Sequence, residues 1–364
     1  MTTWLRAAGL APRVLSDGGI PVAVVCDIHG ERPGPRYLLD ACLDTAGYGD
    51  ETAWTRPPLS AEVADGWMHG RGTSDSKVAV ATFCHIAARL AAAPAALAGT
   101  LTLLFDLDEH TGGFAGIRTY LAQVPHDDPV RGAFIGYPGP DTIVIGGRGF
   151  YRATITMFGQ ADHSASRKTR TANAIVKASH LVTSLAGGDL HQVPDLHGFG
   201  VPPKATVTSV VGGAAGTFSV VPDRCEVQVD VRLTPSFTRD DARELLRTLT
   251  AECDQRHPAP RRSRVDEAIE SWPPFKLPED HELPTTLRHA ARAAGLDPVL
   301  VVAGPSNIGN LLASRGIPAT AGFGVAYRGL HGTDETIDLA TIAPVQAAYH
   351  RAVLHLLSPT QPGN

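Results

Sequence analysis

Residues 70–110 read GRGTSDSKVAVATFCHIAARLAAAPAALAGTLTLLFDLDEH, and this stretch decides the fold class. From Lys77 to Leu97 the composition is Ala-rich and helical. Thr100 to Phe105 follows as a continuous apolar run of buried-strand length, ending in the charged cluster Asp106, Asp108, Glu109 and His110. Upstream lie two more short apolar runs, Ile20 to Cys26 and Tyr37 to Cys42, and then a turn-rich loop from Asp44 to Gly72 of a length that usually carries function. Strand, helix, strand in this order is a βαβ unit. It implies a parallel or mixed sheet, with ligands bound where the strands end, which is where the charged cluster falls.

Beyond this unit, Gly116 to Gln123 reads as a helix and Gly132 to Gly136 as a strand. From Phe150 the texture changes to alternation (Tyr151, Ala153, Ile155, Met157), and a helix follows over Ala172 to Leu185. Two more alternating strands cover Ala205 to Val211 and Cys225 to Leu233, before a helix from Arg239 to Cys253. This is an antiparallel α+β insertion between two α/β portions. After the Pro- and Arg-rich link His257 to Arg264, Leu283 to Ala294 is helical, and Pro298 to Val302 and Ala319 to Phe323 are strands. Ala340 to Leu357 is a closing helix, and Ser358 to Asn364 reads as a loose tail. The expectation is an α/β protein: a discontinuous catalytic domain (1–150 and 265–364) with a mixed sheet flanked by helices, and an inserted lid (151–264) with an antiparallel sheet. A chain of 364 residues suits two domains.

Composition narrows the function. With 43% hydrophobic residues and 19% charged, the chain is neither fibrous nor disordered. A net charge of -5 without a basic stripe argues against nucleic acid as a partner. No run approaches the roughly 18 apolar residues of a membrane span, so no membrane partner is expected. The five cysteines, Cys26, Cys42, Cys84, Cys225 and Cys253, are unclustered, and neither a disulfide framework nor a structural zinc knot is signalled. A reducing, cytoplasmic compartment is the expectation, since the first residues also lack a signal-type apolar region.

Four polar segments fall at predicted strand ends: Cys42-Leu-Asp44-Thr, Gly70 to Lys77, Asp108 to Gly113, and His331-Gly-Thr-Asp-Glu335. Taken singly, Cys42 reads as a small core residue and Asp75 as a helix cap. Their convergence says more. Their order resembles the two-domain, zinc-dependent amidohydrolases and exopeptidases that include acetylornithine deacetylase, succinyl-diaminopimelate desuccinylase, aminoacylase and carboxypeptidase G. Gly70 to Lys77 matches that family's GRGxxDxK motif in full. The other matching segments are Trp54-Thr-Arg-Pro-Pro-Leu59, Glu109-His110, Tyr137-Pro138, Gly159 to His163, Asn173-Ala-Ile175, Val221-Pro-Asp223, Asp230-Val-Arg232, and His331 with Glu335. The resemblance spans nearly the whole chain.

It implies metal ligands at five positions, and three of these depart from the family pattern. Where the family has His, a bridging Asp, an acid, the Glu of Glu-Pro and a last His, this sequence has Cys42, Asp75, His110, Tyr137 and His331. The first metal would be offered Cys42, Asp75 and Tyr137; a neutral phenol is a poor ligand, and Asp44, which the resemblance implies as the catalytic-site residue orienting the ligand His, would here oppose thiolate formation unless a metal were already bound. That position is expected to be weak or empty. The second would be offered Asp75, His110 and His331, a set that suits one zinc, and also Fe(II) or Mn(II). Glu109 keeps the general-base position. His163, from the lid and often across a dimer in the family, is implied as an oxyanion donor. Arg232 and Asn173 would hold a substrate carboxylate or brace the lid. Ser306 and Asn307 would bind substrate or form a helix-capping turn.

Three functions fit these residues. The first is a one-metal amide hydrolase acting on a small N-acyl amino acid or dipeptide-like substrate, as a homodimer through the lid. The second is a metal-free cyclase, lyase or amide-forming enzyme using Glu109 with His110 or His163. The third is a catalytically silent homologue.

Overall fold

The computed structural model describes residues 1–167 and 172–358; most of the expected tail, residues 359–364, lies outside the described residues. The chain divides into two units. The first comprises residues 1–146, 276–303 and the chain from 307 onward; the second comprises Gly147–Phe275 with Gly304–Ser306. No helix among the described residues is long and apolar enough to cross a membrane.

The first unit is built on a six-stranded mixed sheet. In spatial order its strands are Arg13–Asp17, Ile20–His29, Ala98–Asp106, Arg32–Cys42, Val130–Ile135 and Ala319–Thr320. The first two pairings are antiparallel and the remaining three parallel. Between the central strands the register sets Leu39 opposite Leu103, Ala41 opposite Phe105 and Cys42 opposite Asp106. Alternation along a strand then sends Leu39, Ala41, Leu101, Leu103 and Phe105 to one face. These residues form a core with Phe83, Ile86 and Leu90 of helix Val78–Ala91 and with Tyr349 and Val353 of helix Ile342–Leu356.

The helix expected to reach Leu97 ends at Ala91, because Pro94 lacks an N–H and turns the chain into a single 3-10 turn ahead of the strand. The hairpin Arg13 to His29 went unread in its first strand, where only Leu15 is buried. Its turn was marked by Gly18 and Gly19, both at positive φ (54° and 83°), as a tight primed turn requires.

A small antiparallel sheet orders part of the 44–72 loop: Tyr327–Arg328, Thr336–Asp338, Trp67–His69 and Val63–Ala64. Thr336 lies opposite His69. This pairing brings the segment that begins at Gly70 alongside the one that ends at Glu335.

The second unit is a four-stranded antiparallel sheet, in the order Lys204–Gly212, Arg224–Leu233, Gly149–Phe158 and Arg264–Glu267. Helices Ala174–Gly187 and Arg239–Arg256 pack on it through Leu181, Leu185, Ala242 and Leu246, against Tyr151, Ile155, Met157, Val227 and Val229. The insertion therefore runs from Gly147 to Phe275 and not from 151 to 264. The Pro- and Arg-rich link is internal to it, because Arg264–Glu267 returns as an edge strand with Val265 opposite Ile155. Glu267 of that strand takes ion pairs from Arg239 and Arg243.

Tyr349 ties the last helix to the first unit's sheet. Its ring meets Phe83 and Phe323 edge-on, with centroids 5.0 and 5.4 Å away, and its hydroxyl donates to the Phe323 carbonyl at 2.5 Å. Tyr349→Phe leaves that buried carbonyl unpaired and is expected to cost about 1–3 kcal/mol. Urea denaturation reads this directly; an unchanged midpoint would show that the bond contributes nothing.

Candidate metal and catalytic site

The site is assembled at the carboxyl ends of the parallel strands, the place where open α/β sheets bind ligands. Cys42 closes strand Arg32–Cys42, and Asp44 follows it. Glu109 and His110 follow strand Ala98–Asp106 in a turn held by Asp108, which adopts φ +70° and accepts the Thr111 hydroxyl, while Phe114 N–H closes onto the Asp108 carbonyl at 3.0 Å. Tyr137 follows strand Val130–Ile135. Asp75 precedes helix Val78–Ala91, and His331 sits in a left-handed turn at φ +59°.

Asp75 is the centre of the cluster. Its Oδ2 lies 2.7 Å from His331 Nε2 and 3.6 Å from His110 Nε2. Donor atoms of Asp75, His110 and His331 all fall within 4.8 Å of one another. Asp44 Oδ2 accepts the His110 backbone N–H at 3.0 Å and lies 3.3 Å from its Nδ1, fixing the ring. Both ring nitrogens of His110 face carboxylates, Nδ1 also lying 3.5 Å from Glu109 Oε2, at distances longer than close hydrogen bonds.

The charges follow from these contacts. Burial disfavours the His110 imidazolium, but Asp44 and Asp75 outweigh it and push the group up to about 10. Burial would raise Asp75, yet His110 and His331 hold it at about 2. Glu109 is pushed by burial to about 7, against the lowering effect of the Tyr137 hydroxyl bonded to it.

This arrangement has known relatives along nearly the full chain. The model of peptidase family M20/M25/M40 matches residues 38–355. The chain belongs to that family. A succinyl-diaminopimelate desuccinylase of Xanthomonas oryzae pv. oryzae is 28% identical, over 97% of this chain and 91% of that protein. In fold the chain is similar to the M20 family metallo-carboxypeptidase Sso-CP2 of Sulfolobus solfataricus, with a TM-score of 0.78 at 17% identity, covering 98% of this chain and 92% of that one. It is also similar to a dinuclear metal binding M20 peptidase of Bacillus subtilis, with a TM-score of 0.72 at 17% identity, covering 98% and 90%. The protein is an M20 metallopeptidase- or deacylase-like enzyme.

Against the M20 ligand pattern, two expectations change. Asp44 gives its carboxylate to the His110 backbone N–H and ring. Cys42 Sγ instead lies 3.6 Å from Asp75 Oδ1 and 3.4 Å from Ser76 Oγ, and burial, then Asp75, then Glu109 raise the thiol well above its ordinary value. It is a neutral hydrogen-bonding group. Tyr137 donates its hydroxyl to Glu109 Oε1, and burial with the Glu109 charge keeps the phenol protonated. The donors expected for a first metal are thus engaged with one another and with Glu109. Cys42, Glu109 and His110 form a second close group of potential ligands, but its thiol is neutral and its carboxylate is bonded to Tyr137.

The remaining candidates act locally. His163 is exposed and its Nδ1 accepts the Ala165 N–H at 3.0 Å, which puts the ring proton on Nε2 and leaves it as a donor. The Asn173 side chain caps helix Ala174–Gly187 through Ile175 and Val176 N–H, and Asn307 caps Ile308–Ser314 in a capping box with Asn310. The carboxamide oxygens of both are thereby committed to backbone, as the capping alternative for Asn307 expected. Arg232 is gripped by Asp230 at 2.7 Å and reaches Ser306 Oγ at 3.3 Å; Ser306 in turn donates to the Arg148 carbonyl at 2.6 Å. Arg148 was not singled out in the sequence, although its Arg-Gly just before the change to alternation was a visible cue. Asp40 and Asp106 were also missed. Both are fully buried without side-chain hydrogen-bond partners among the described residues, and burial, with the neighbouring acids, raises both well above the usual carboxylate range.

A divalent ion entering between Asp75, His110 and His331 must displace the proton on His110. Metal affinity is therefore expected to rise with pH, about tenfold per unit for each proton released, throughout the range below the raised value of His110. Calorimetric titration in buffers of different ionisation heat measures the proton count. Affinity that is flat between pH 6 and pH 8 would contradict this picture.

Proposed function

We propose that the chain hydrolyses an amide bond in a small N-acyl amino acid or related carboxylate, using one divalent metal ion held by Asp75, His110 and His331. The observation that carries this is the convergence of these three donors within 4.8 Å, beside a carboxyl group poised at about 7. Two imidazoles and one carboxylate suit zinc and leave a position open for water. When bound, the ion would supply Lewis-acid polarisation and a water of lowered pKa.

The chain's own residues do the rest. Glu109, poised near neutrality, is matched to taking a proton from water and returning it to a leaving amine. Tyr137 holds one oxygen of Glu109 and so directs the other. Asp44 fixes the orientation of the His110 ring. The similarity to a succinyl-diaminopimelate desuccinylase supports an acylated amino acid as the substrate class. His163 retains an N–H donor suited to an oxyanion, and Arg232 a guanidinium suited to a carboxylate.

Elemental analysis is expected to find one ion per chain, and chelation to abolish hydrolysis of a panel of acyl amino acids. Glu109→Gln should lower kcat by about 10²–10⁴-fold with metal content unchanged. If metal-stripped protein keeps its activity and loses it in Glu109→Gln, the metal-free reading holds instead. His163→Ala tests whether the second unit takes part in the reaction.

Restoring the family pattern gives a second test. The triple variant Cys42→His, His110→Glu, Tyr137→Glu is expected to raise the stoichiometry from one ion to two. A variant that folds and still binds one would show that those three positions do not set the count.

A further inference from the structure

Arg71 and Glu335 belong to motifs visible in the sequence, yet neither offers a donor to the ion or to a substrate. They form a buried ion pair, Arg71 Nη1 to Glu335 Oε2 at 2.6 Å, with side chains 2% and 1% exposed. Each partner also holds the segment carrying a proposed ligand. Glu335 Oε1 accepts Ser74 N–H at 2.9 Å, Ser74 Oγ at 2.7 Å and Asp75 N–H at 3.3 Å. Arg71 Nη2 donates to the carbonyls of His331 at 3.2 Å and Gly332 at 2.8 Å.

The two segments are far apart in sequence; the His331 turn is closed by the pairing of Tyr327–Arg328 with Thr336–Asp338 and by the Thr55 N–H donated to Asp334 Oδ1 at 2.9 Å, and the Arg71–Glu335 pair links it to the segment carrying Asp75. His331 and Asp334 both adopt left-handed φ, at +59° and +57°. The His331 side chain is 53% exposed, so packing does not place it. Trp54 lies over the Arg71 guanidinium at 5.1 Å, and its Nε1 donates to the Tyr48 carbonyl at 2.9 Å. The Gly70 N–H to Glu335 carbonyl bond, 2.9 Å, completes the clamp.

We infer that Arg71 and Glu335 are positioning residues that set the distance between Asp75 and His331, and so the affinity for the ion. This rests on the metal reading proposed above. An ion holds its ligands only as well as their supporting groups are held, and removing such support typically weakens metal binding about 10–100-fold.

The test measures zinc affinity of the full chain by chelator competition at one pH, together with thermal stability. The proteins are wild type, Glu335→Gln, Arg71→Lys and Asp27→Asn. Glu335→Gln removes the charge; Arg71→Lys keeps it but cannot reach both carbonyls. Both are expected to bind zinc about 10–100-fold more weakly, and to change the visible spectrum of the cobalt-substituted site. Asp27→Asn breaks a part-buried arginine pair of the same unit, Arg36 to Asp27 at 2.8 Å, and is expected to lose stability at unchanged zinc affinity. If Glu335→Gln does not fold, Arg71→Lys decides. Variant affinities indistinguishable from wild type overturn the clamp alone. A wild type that takes up no zinc overturns the metal reading and the clamp with it.

Discussion

The buried contact between Arg71 and Glu335 joins positions 264 residues apart and ties the segment carrying Asp75 to the turn carrying His331. Taking a guanidinium and a carboxylate out of water is costly, and the attraction between them repays it only when the remaining donors and acceptors are also met. Here Glu335 accepts from four groups and Arg71 donates to three. Arg71 Nε is buried without a hydrogen bond among the described residues, and the Trp54 ring lies against the guanidinium. A pair satisfied to this degree specifies one arrangement of two segments. Slippage of either would expose several buried polar groups at once.

Charge explains why the site beside this pair takes the form it does. The acidic side chains of Asp40, Asp44, Asp75, Asp106 and Glu109 gather at the same sheet edge, and water cannot screen them there. Those that ionise readily face imidazole: Asp75 and Asp44 are held low against burial by His110, with His331 also acting on Asp75. Asp40 and Asp106 have no hydrogen-bonding side-chain partner among the described residues and are raised by burial, and Glu109 lies between the two cases. The proton on His110 lies among the carboxylates that the proposed ion would share.

Much of this was legible in the sequence, and what was not has physical causes. The βαβ unit, the alternating strands of the insertion and the GRGTSDSK motif each carry a strong local pattern, and Asp75, His110 and His331 do converge. The strand Arg264–Glu267 was hidden because it is short and half-exposed, and its meaning lies in its pairing with Gly149–Phe158. The partners of Cys42, Asp44 and Tyr137 were equally hidden, since they depend on which side of a turn each side chain leaves. Asp44 is close in sequence to Cys42, yet it bonds His110, 66 residues away. Asn173 and Asn307 illustrate the opposite case: an Asn immediately before an apolar helical run is a cap by local chemistry alone, and both act as caps.

The three altered ligand positions also form a coherent set when their charges are counted. In the ligand pattern that the motif resemblance implies, His110 and Tyr137 would stand at positions of acids, and Cys42 at that of a neutral imidazole. Two carboxylates are lost, and the thiol that replaces the imidazole is held protonated by burial. The loss of two negative charges equals the charge of one divalent ion. Had only one acid been replaced, the site would carry an uncompensated charge with one ion or with two, a costly condition in a buried cluster. Tyr137 then fills the released space with a hydroxyl that needs an acceptor, and Glu109 supplies it. On the one-ion proposal, these residues would exchange one cation for hydrogen bonds while Asp75 stays within reach of two imidazoles, and the cluster would be electrically balanced with a single ion.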